Sequence, residues 1–103
     1  FEEFAPFTRR VMELLDDDEL ARAQALLLAR PDAGKMIPQS GGLRKLRVPA
    51  KGHGKRGGAR IIYYWVVARD RILLLDIYAK NERADLAPAE IRHLRILVRE
   101  YLL

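Results

Sequence analysis

The chain has no cysteine, which removes disulfide frameworks and thiolate metal sites together. Its only histidines are His53 and His93, too few for a histidine-based metal cage. The longest unbroken apolar run, Ile61 to Ala68, is far too short to span a membrane. No secretory leader pattern is present, so a reducing cytoplasm is the expected setting. The most informative absence is acidic. Between Ala33 and Arg69 there is no Asp or Glu at all.

That acid-free window holds nine cations: Lys35, Arg44, Lys45, Arg47, Lys51, Lys55, Arg56, Arg60 and Arg69. Ordinary surfaces mix the two signs, so a window this one-sided points to a polyanion, with phosphate the obvious candidate. Around it the charge is uneven. Residues 1–32 carry a net −4, residues 33–69 carry +9, and residues 70–103 balance. A length of 103 residues sets one domain with a single modest core, and 50% hydrophobic content is ordinary for a globular chain.

Phe4, Phe7, Val11 and Leu14 are spaced as one face of a short helix, with Pro6 suited to its first turn. Asp16 with Glu19 reads as a capping box opening a second helix over Asp17 to Ala29, and capping outweighs a metal reading of that acidic run. Leu20, Ala23, Leu26 and Leu27 are expected to face inward, and Pro31 closes the element at Arg30. Leu43 to Val48 alternates as a strand, with Leu46 and Val48 on one side and Lys45 and Arg47 on the other. Pro49 to Gly58 is a glycine-rich hairpin connection. Gly52 to Gly57 formally matches GxGxxG, but it precedes a strand rather than closing one, so a dinucleotide site is rejected.

Ala59 to Val67 is apolar on both faces, the pattern of a central strand, with Arg60, Ile62, Tyr64 and Val66 sharing one side. After a turn at Arg69-Asp70, Ile72 to Tyr78 forms the next strand. Strict alternation sets Leu73, Leu75 and Ile77 against Ile72, Leu74, Asp76 and Tyr78. Pro88 opens a last helix with Ile91, Leu94, Leu97, Val98 and Tyr101 as its apolar stripe. The expected architecture is α+β, with helices packed on a small antiparallel sheet of three strands.

GGLRKLR, then GKRGGARIIYY, then LLLDIYAKNERADL, in this order and spacing, resemble the HigB branch of the RelE-like toxins of bacterial toxin–antitoxin pairs. Pro31-Asp32-Ala33-Gly34 followed by Ile37-Pro38 is similar to the linker before the family's basic strand. The resemblance covers nearly the whole chain. It implies a ribosome-dependent endoribonuclease, cutting translated mRNA and silenced by an antitoxin of helix-turn-helix type. It also implies a strand ahead of the first helix. The sequence from Phe1 shows no such pattern, so that strand is expected to be missing.

Carried over residue by residue, the resemblance assigns Lys45 and Arg47 to a basic pair. Arg60 becomes the arginine that steadies the scissile phosphate, and Tyr78 with Lys80 the Tyr-x-Lys of the HigB branch. The founding members have an arginine where Asn81 stands and a catalytic tyrosine near Ala87, which shifts weight here to Tyr78 and Lys80. Arg44, Lys51, Lys55 and Arg56 are expected to hold RNA or ribosome. No cofactor, metal or membrane is implied.

The chemistry suits these residue types. RNA is cut without metal when its own 2′-OH attacks the adjacent phosphate in line. That route needs a proton acceptor, charge on the phosphoryl oxygens and a proton for the departing 5′ oxygen. Arginine is a permanently charged planar donor for phosphate. Crowded cations favour a tyrosinate and a neutral lysine, so Tyr78, Lys45 and Lys80 are expected to be tuned toward acid–base work. Two other readings fit the residues: a ParE-like toxin acting on DNA gyrase by protein contacts, and a plain nucleic-acid-binding module.

Overall fold

A computed structural model describes residues 1–50 and 57–103. Lys51, His53, Lys55 and Arg56, singled out in the sequence, lie outside the described residues. Two helices follow a short opening strand: α1 (Ala5–Leu14) and α2 (Asp17–Ala29). Phe4 caps α1 and Pro6 falls in its first turn, where a missing N–H costs nothing. α2 opens on the expected capping box. Glu19 N donates to Asp16 Oδ1 at 2.7 Å and Asp16 N donates to Glu19 Oε1 at 2.9 Å. α3 (Pro88–Leu102) is the last element, and its Glu90 Oε1 accepts from Ala87 N at 2.8 Å.

Five strands form one sheet, in the order β1 (Glu2–Glu3), β5 (Arg71–Ala79), β4 (Ala59–Val66), β3 (Arg44–Val48) and β2 (Lys35–Met36). β1 runs parallel to β5, and the remaining neighbours are antiparallel. The expectation of three strands with an absent opening strand is therefore corrected. Glu2 pairs with Leu73 and Glu3 with Leu74, and Phe4 N donates to Leu74 O at 2.9 Å. Strands of two residues are too short to show alternation, which is why β1 and β2 left no sequence signal. Beyond β1, two β5 amides are taken by carboxylates: Ile77 N by Asp76 Oδ1 at 2.8 Å and Ala79 N by Glu82 Oε1 at 3.1 Å. These local bonds blunt an edge that would otherwise template another strand.

The sheet separates two apolar layers. On one side α1 and α2 bring Phe7, Val11, Leu15, Ala23 and Leu27 onto Leu46, Val48, Ile61, Tyr63, Leu74 and Ile77. On the other, Leu94 and Val98 of α3 pack on Leu43, Ile62, Val66, Leu73, Leu75 and Tyr78. Two inward assignments are corrected. Leu26 is 41% exposed, because it lies off the Leu20–Ala23–Leu27 face of α2. Phe4 belongs to the α3 layer, its ring 5.9 Å from that of Tyr101, because it precedes the helix instead of riding on it.

A third correction moves the candidate site. Ile62 pairs with Asp76 but Tyr63 pairs with Leu74, so Leu75 is an extra residue in β5. This bulge shifts the parity of the strand beyond it. Ile77 joins Ile72 and Leu74 on the helix-pair side, and Tyr78 joins Leu73 and Leu75 beneath α3, the reverse of strict alternation.

Candidate active site

The bulge lines up the proposed residues. Arg47, Arg60 and Tyr78 are successive partners across β3, β4 and β5, with Lys45 two residues along β3 from Arg47. All four lie on the α3 side of the sheet. Lys35 on β2 stands directly opposite Lys45, and Arg47 directly opposite Arg60. Like charges placed directly across a ladder are destabilising, by roughly 0.2–1 kcal/mol each on the scale of cross-strand pairs. Two such pairs side by side are unexplained by packing and fit a surface built for an anion.

Burial divides the set. Arg60 is 2% exposed and Tyr78 is 1% exposed, whereas Arg47 and Lys80 are exposed and Lys45 is intermediate. Arg60 Nη1 donates to Ala59 O at 3.1 Å. Burial, followed by the neighbouring charge of Arg47, lowers the Arg60 guanidinium below its usual value, though an arginine remains charged throughout the working range. The Tyr78 hydroxyl is buried with no hydrogen-bond partner among the described residues. An orphan of this kind costs about 1–3 kcal/mol relative to a satisfied one.

The expected tyrosinate is corrected by this burial. Desolvation pushes the Tyr78 phenol up from its usual value and outweighs the opposing pull of Arg60 and Arg83, with Asp85 adding to the rise. At neutral pH Tyr78 keeps its proton.

Lys80 lies one residue beyond β5, and its N–H donates to Gly58 O at 3.0 Å, which seats it beside the start of β4. Arg44 is apart from this group. It points toward the helix-pair side, and its Nη1 donates to the carbonyls of Gly34 at 2.8 Å and Asp32 at 3.3 Å, bracing the loop before β2.

Two residues of the segment after β5 were missed by the sequence reading. Asp85 Oδ1 stands 2.7 Å from Lys45 Nζ. Arg83 lies over the Tyr78 ring, 4.8 Å from its centroid, and is paired with Glu90 and, at 3.9 Å, with Asp76. Both belong to the stretch NERADL, whose only sequence signal was its place in the resemblance. Their pairings reach across the fold, and no local spacing announces them. A cleft of about 370 Å3 adjoins the row, lined by Lys35, Met36, Lys45, Asp85, Leu86 and Ile91 among others.

Among the described residues no group of three His, Asp or Glu side chains is placed to hold a metal ion. Also among them, no helix is long and apolar enough to cross a membrane. The arrangement offers cationic donors for a phosphate, a neutral phenol beside them and an amine at each end. Compared with known protein families, residues 3–103 match the family described as RelE toxin of RelE / RelB toxin-antitoxin system.

Proposed function

Since the chain belongs to the RelE toxin family, the toxin half of a toxin–antitoxin system with an antitoxin as its partner, we propose that it is a ribosome-dependent endoribonuclease of the HigB type, cutting translated mRNA. The observation that carries this reading is the row Arg47–Arg60–Tyr78 in register across three strands, with Lys45 beside it. Side chains fixed on rigid strands hold a reacting group more tightly than side chains on loops.

In this mechanism the 2′-OH attacks the adjacent phosphorus, forming the O2′–P bond as the P–O5′ bond breaks. Arg60 and Arg47 carry the charge that gathers on the phosphoryl oxygens. Lys80 in its unprotonated form takes the proton of the attacking hydroxyl, and Lys45, as an ammonium, binds the phosphate. Tyr78, held neutral by burial, gives its proton to the departing 5′ oxygen. The ribosome supplies what this modest acid–base set lacks. Holding the mRNA in line for attack is worth several kcal/mol of the barrier, about 7–11 in the best cases. The antitoxin is expected to be of helix-turn-helix type, and the cytoplasm is the working compartment.

The test is cleavage by the purified protein of an mRNA being translated on purified ribosomes, beside the same RNA free in solution. Cutting of the translated message alone is expected, with 2′,3′-cyclic phosphate or 3′-phosphate ends. A 3′-hydroxyl end contradicts the mechanism. No cutting of either RNA returns the chain to the readings without a nuclease site.

A further inference from the structure

Arg60 and Tyr78 are nearly inaccessible, yet the reading above needs a phosphate to reach them. The cover over Tyr78 is identifiable. Residues 80–87 join β5 to α3 and pass over this part of the sheet, with Arg83 stacked on the Tyr78 ring and Leu86 in the same apolar cluster. The segment is fastened at three places. Glu82 accepts from Arg10 Nη2 at 2.9 and 3.0 Å, Arg83 is paired with Glu90 and Asp76, and Asp85 is paired with Lys45.

The last fastening differs from the others. It alone reaches β3, two strands away from the β5 end where the segment begins, and it ends on a cation of the candidate site. The Asp85 side chain is 70% exposed, so the pair is solvated and weak. A carboxylate and a phosphodiester each carry one negative charge and accept the same short charge-assisted bonds from an ammonium group. Arg47 and Arg60 flank the same place and would add to the hold on an incoming phosphate but not to the hold on Asp85.

We propose that Asp85 occupies, in the free protein, the seat of a phosphodiester on Lys45, and that an incoming RNA phosphate displaces it, loosening residues 80–87 over Tyr78 while Glu82 and Arg83 keep their ties. The inference rests on the nuclease reading for its purpose, but the exchange of one anion for another is measurable without cleavage. It gives the toxin a closed resting form and makes substrate itself the opener. Leaving the seat frees one positive charge and removes the segment's tie to β3 in a single event.

The probe is a short single-stranded RNA carrying 2′-O-methyl groups throughout, which cannot be cut. Its binding is followed by fluorescence anisotropy at fixed salt for the wild type, Asp85→Asn and Asp18→Asn. Asp18 is exposed at the start of α2 in the opposite layer, so it controls for the loss of one negative charge. Asp85→Asn is expected to bind about fivefold more tightly, the scale of one exposed ion pair removed from competition. Its amides in 80–87 are expected to exchange hydrogen faster. Asp18→Asn should stay near wild type.

Binding by Asp85→Asn no tighter than that of Asp18→Asn overturns the proposal. On translating ribosomes, a wild type that cuts beside an Asp85→Asn that cuts far more slowly also overturns it, and makes Asp85 a participant in the reaction. Tighter binding and faster exchange, with no cutting by either protein, sustains the displaced carboxylate while removing the nuclease reading.

Discussion

Tyr63 and Tyr78 are two buried tyrosines on neighbouring strands, 0% and 1% exposed, and they face opposite sides of the same sheet. Tyr63, under α1 and α2, is fully used. Its hydroxyl donates to Pro31 O at 2.7 Å and accepts from Gly34 N at 2.8 Å. The fit around it is close enough that a Cβ on Gly34 would stand 2.6 Å from Tyr63 Cε1. Tyr78, under α3, has the same chemistry and, among the described residues, no partner for its hydroxyl. Among the described residues, the face under α1 and α2 sets no like charges across the ladder, though it too keeps one unsatisfied buried group, Trp65 Nε1. The other sets Arg47 against Arg60 and Lys35 against Lys45, and buries an orphan phenol. The like-charge pairs and the orphan phenol concentrate on the α3 face, and such a concentration is where function is expected to lie.

The largest expected effect is on Arg60. Arg60→Ala should lower the cutting of translated mRNA by about 10²–10³, the scale of losing one donor to a developing oxyanion. Rates at saturating ribosomes, with circular dichroism to establish folding, decide it. A folded variant that cuts at the wild-type rate takes Arg60 out of the site.

Removing the satisfied tyrosine should act on stability alone. Tyr63→Phe leaves Gly34 N and Pro31 O without their partner, and denaturant unfolding should show a loss of about 1–3 kcal/mol. Cutting per folded molecule should be unchanged. A loss of activity without a loss of stability would erase the contrast between the two faces.

Arg47→Ala relieves a like-charge pair, so stability should rise by about 0.2–1 kcal/mol while cutting falls. A stability loss instead would mean that Arg47 is held by the fold and not opposed to it.

The smallest effect is on pH dependence. Burial raises both phenols, Tyr63 and Tyr78, above their unfolded values. Their contribution is whole below the unfolded value near pH ~10 and is lost as pH rises through the folded values. Melting temperatures should therefore fall on the alkaline side, and each Tyr→Phe change should flatten part of that fall. A slope identical in wild type and both variants would contradict the assignment.

Much of this was legible beforehand because it is local. The Asp16–Glu19 box, the full extent of α2, the hairpin of β3 and β4, and Pro88 opening α3 all rest on spacing within a few residues. The same local alternation put Lys45 and Arg47 on one side of their strand, as the register of β3 and β4 has them. What escaped the sequence depends on the third dimension. β1 and β2 exist because β5 and β3 pair with them, not because two residues carry a pattern. The extra residue at Leu75 breaks the alternation that strand reading assumes, and only the partner strand reveals it. The upward shift of the Tyr78 phenol comes first from burial, which only the folded chain shows. Its cationic neighbours alone argued the other way.

Tyr78→Phe tests the central claim most directly, because it removes one oxygen atom from the face said to be kept for chemistry. Denaturant unfolding and cutting of translated mRNA should be measured on the same preparation. With the orphan hydroxyl gone, stability is predicted to stay level or rise. Cutting is predicted to fall by on the order of 10², the lower range for losing a general acid. A variant that loses stability as Tyr63→Phe does, or that cuts at the wild-type rate, would contradict it.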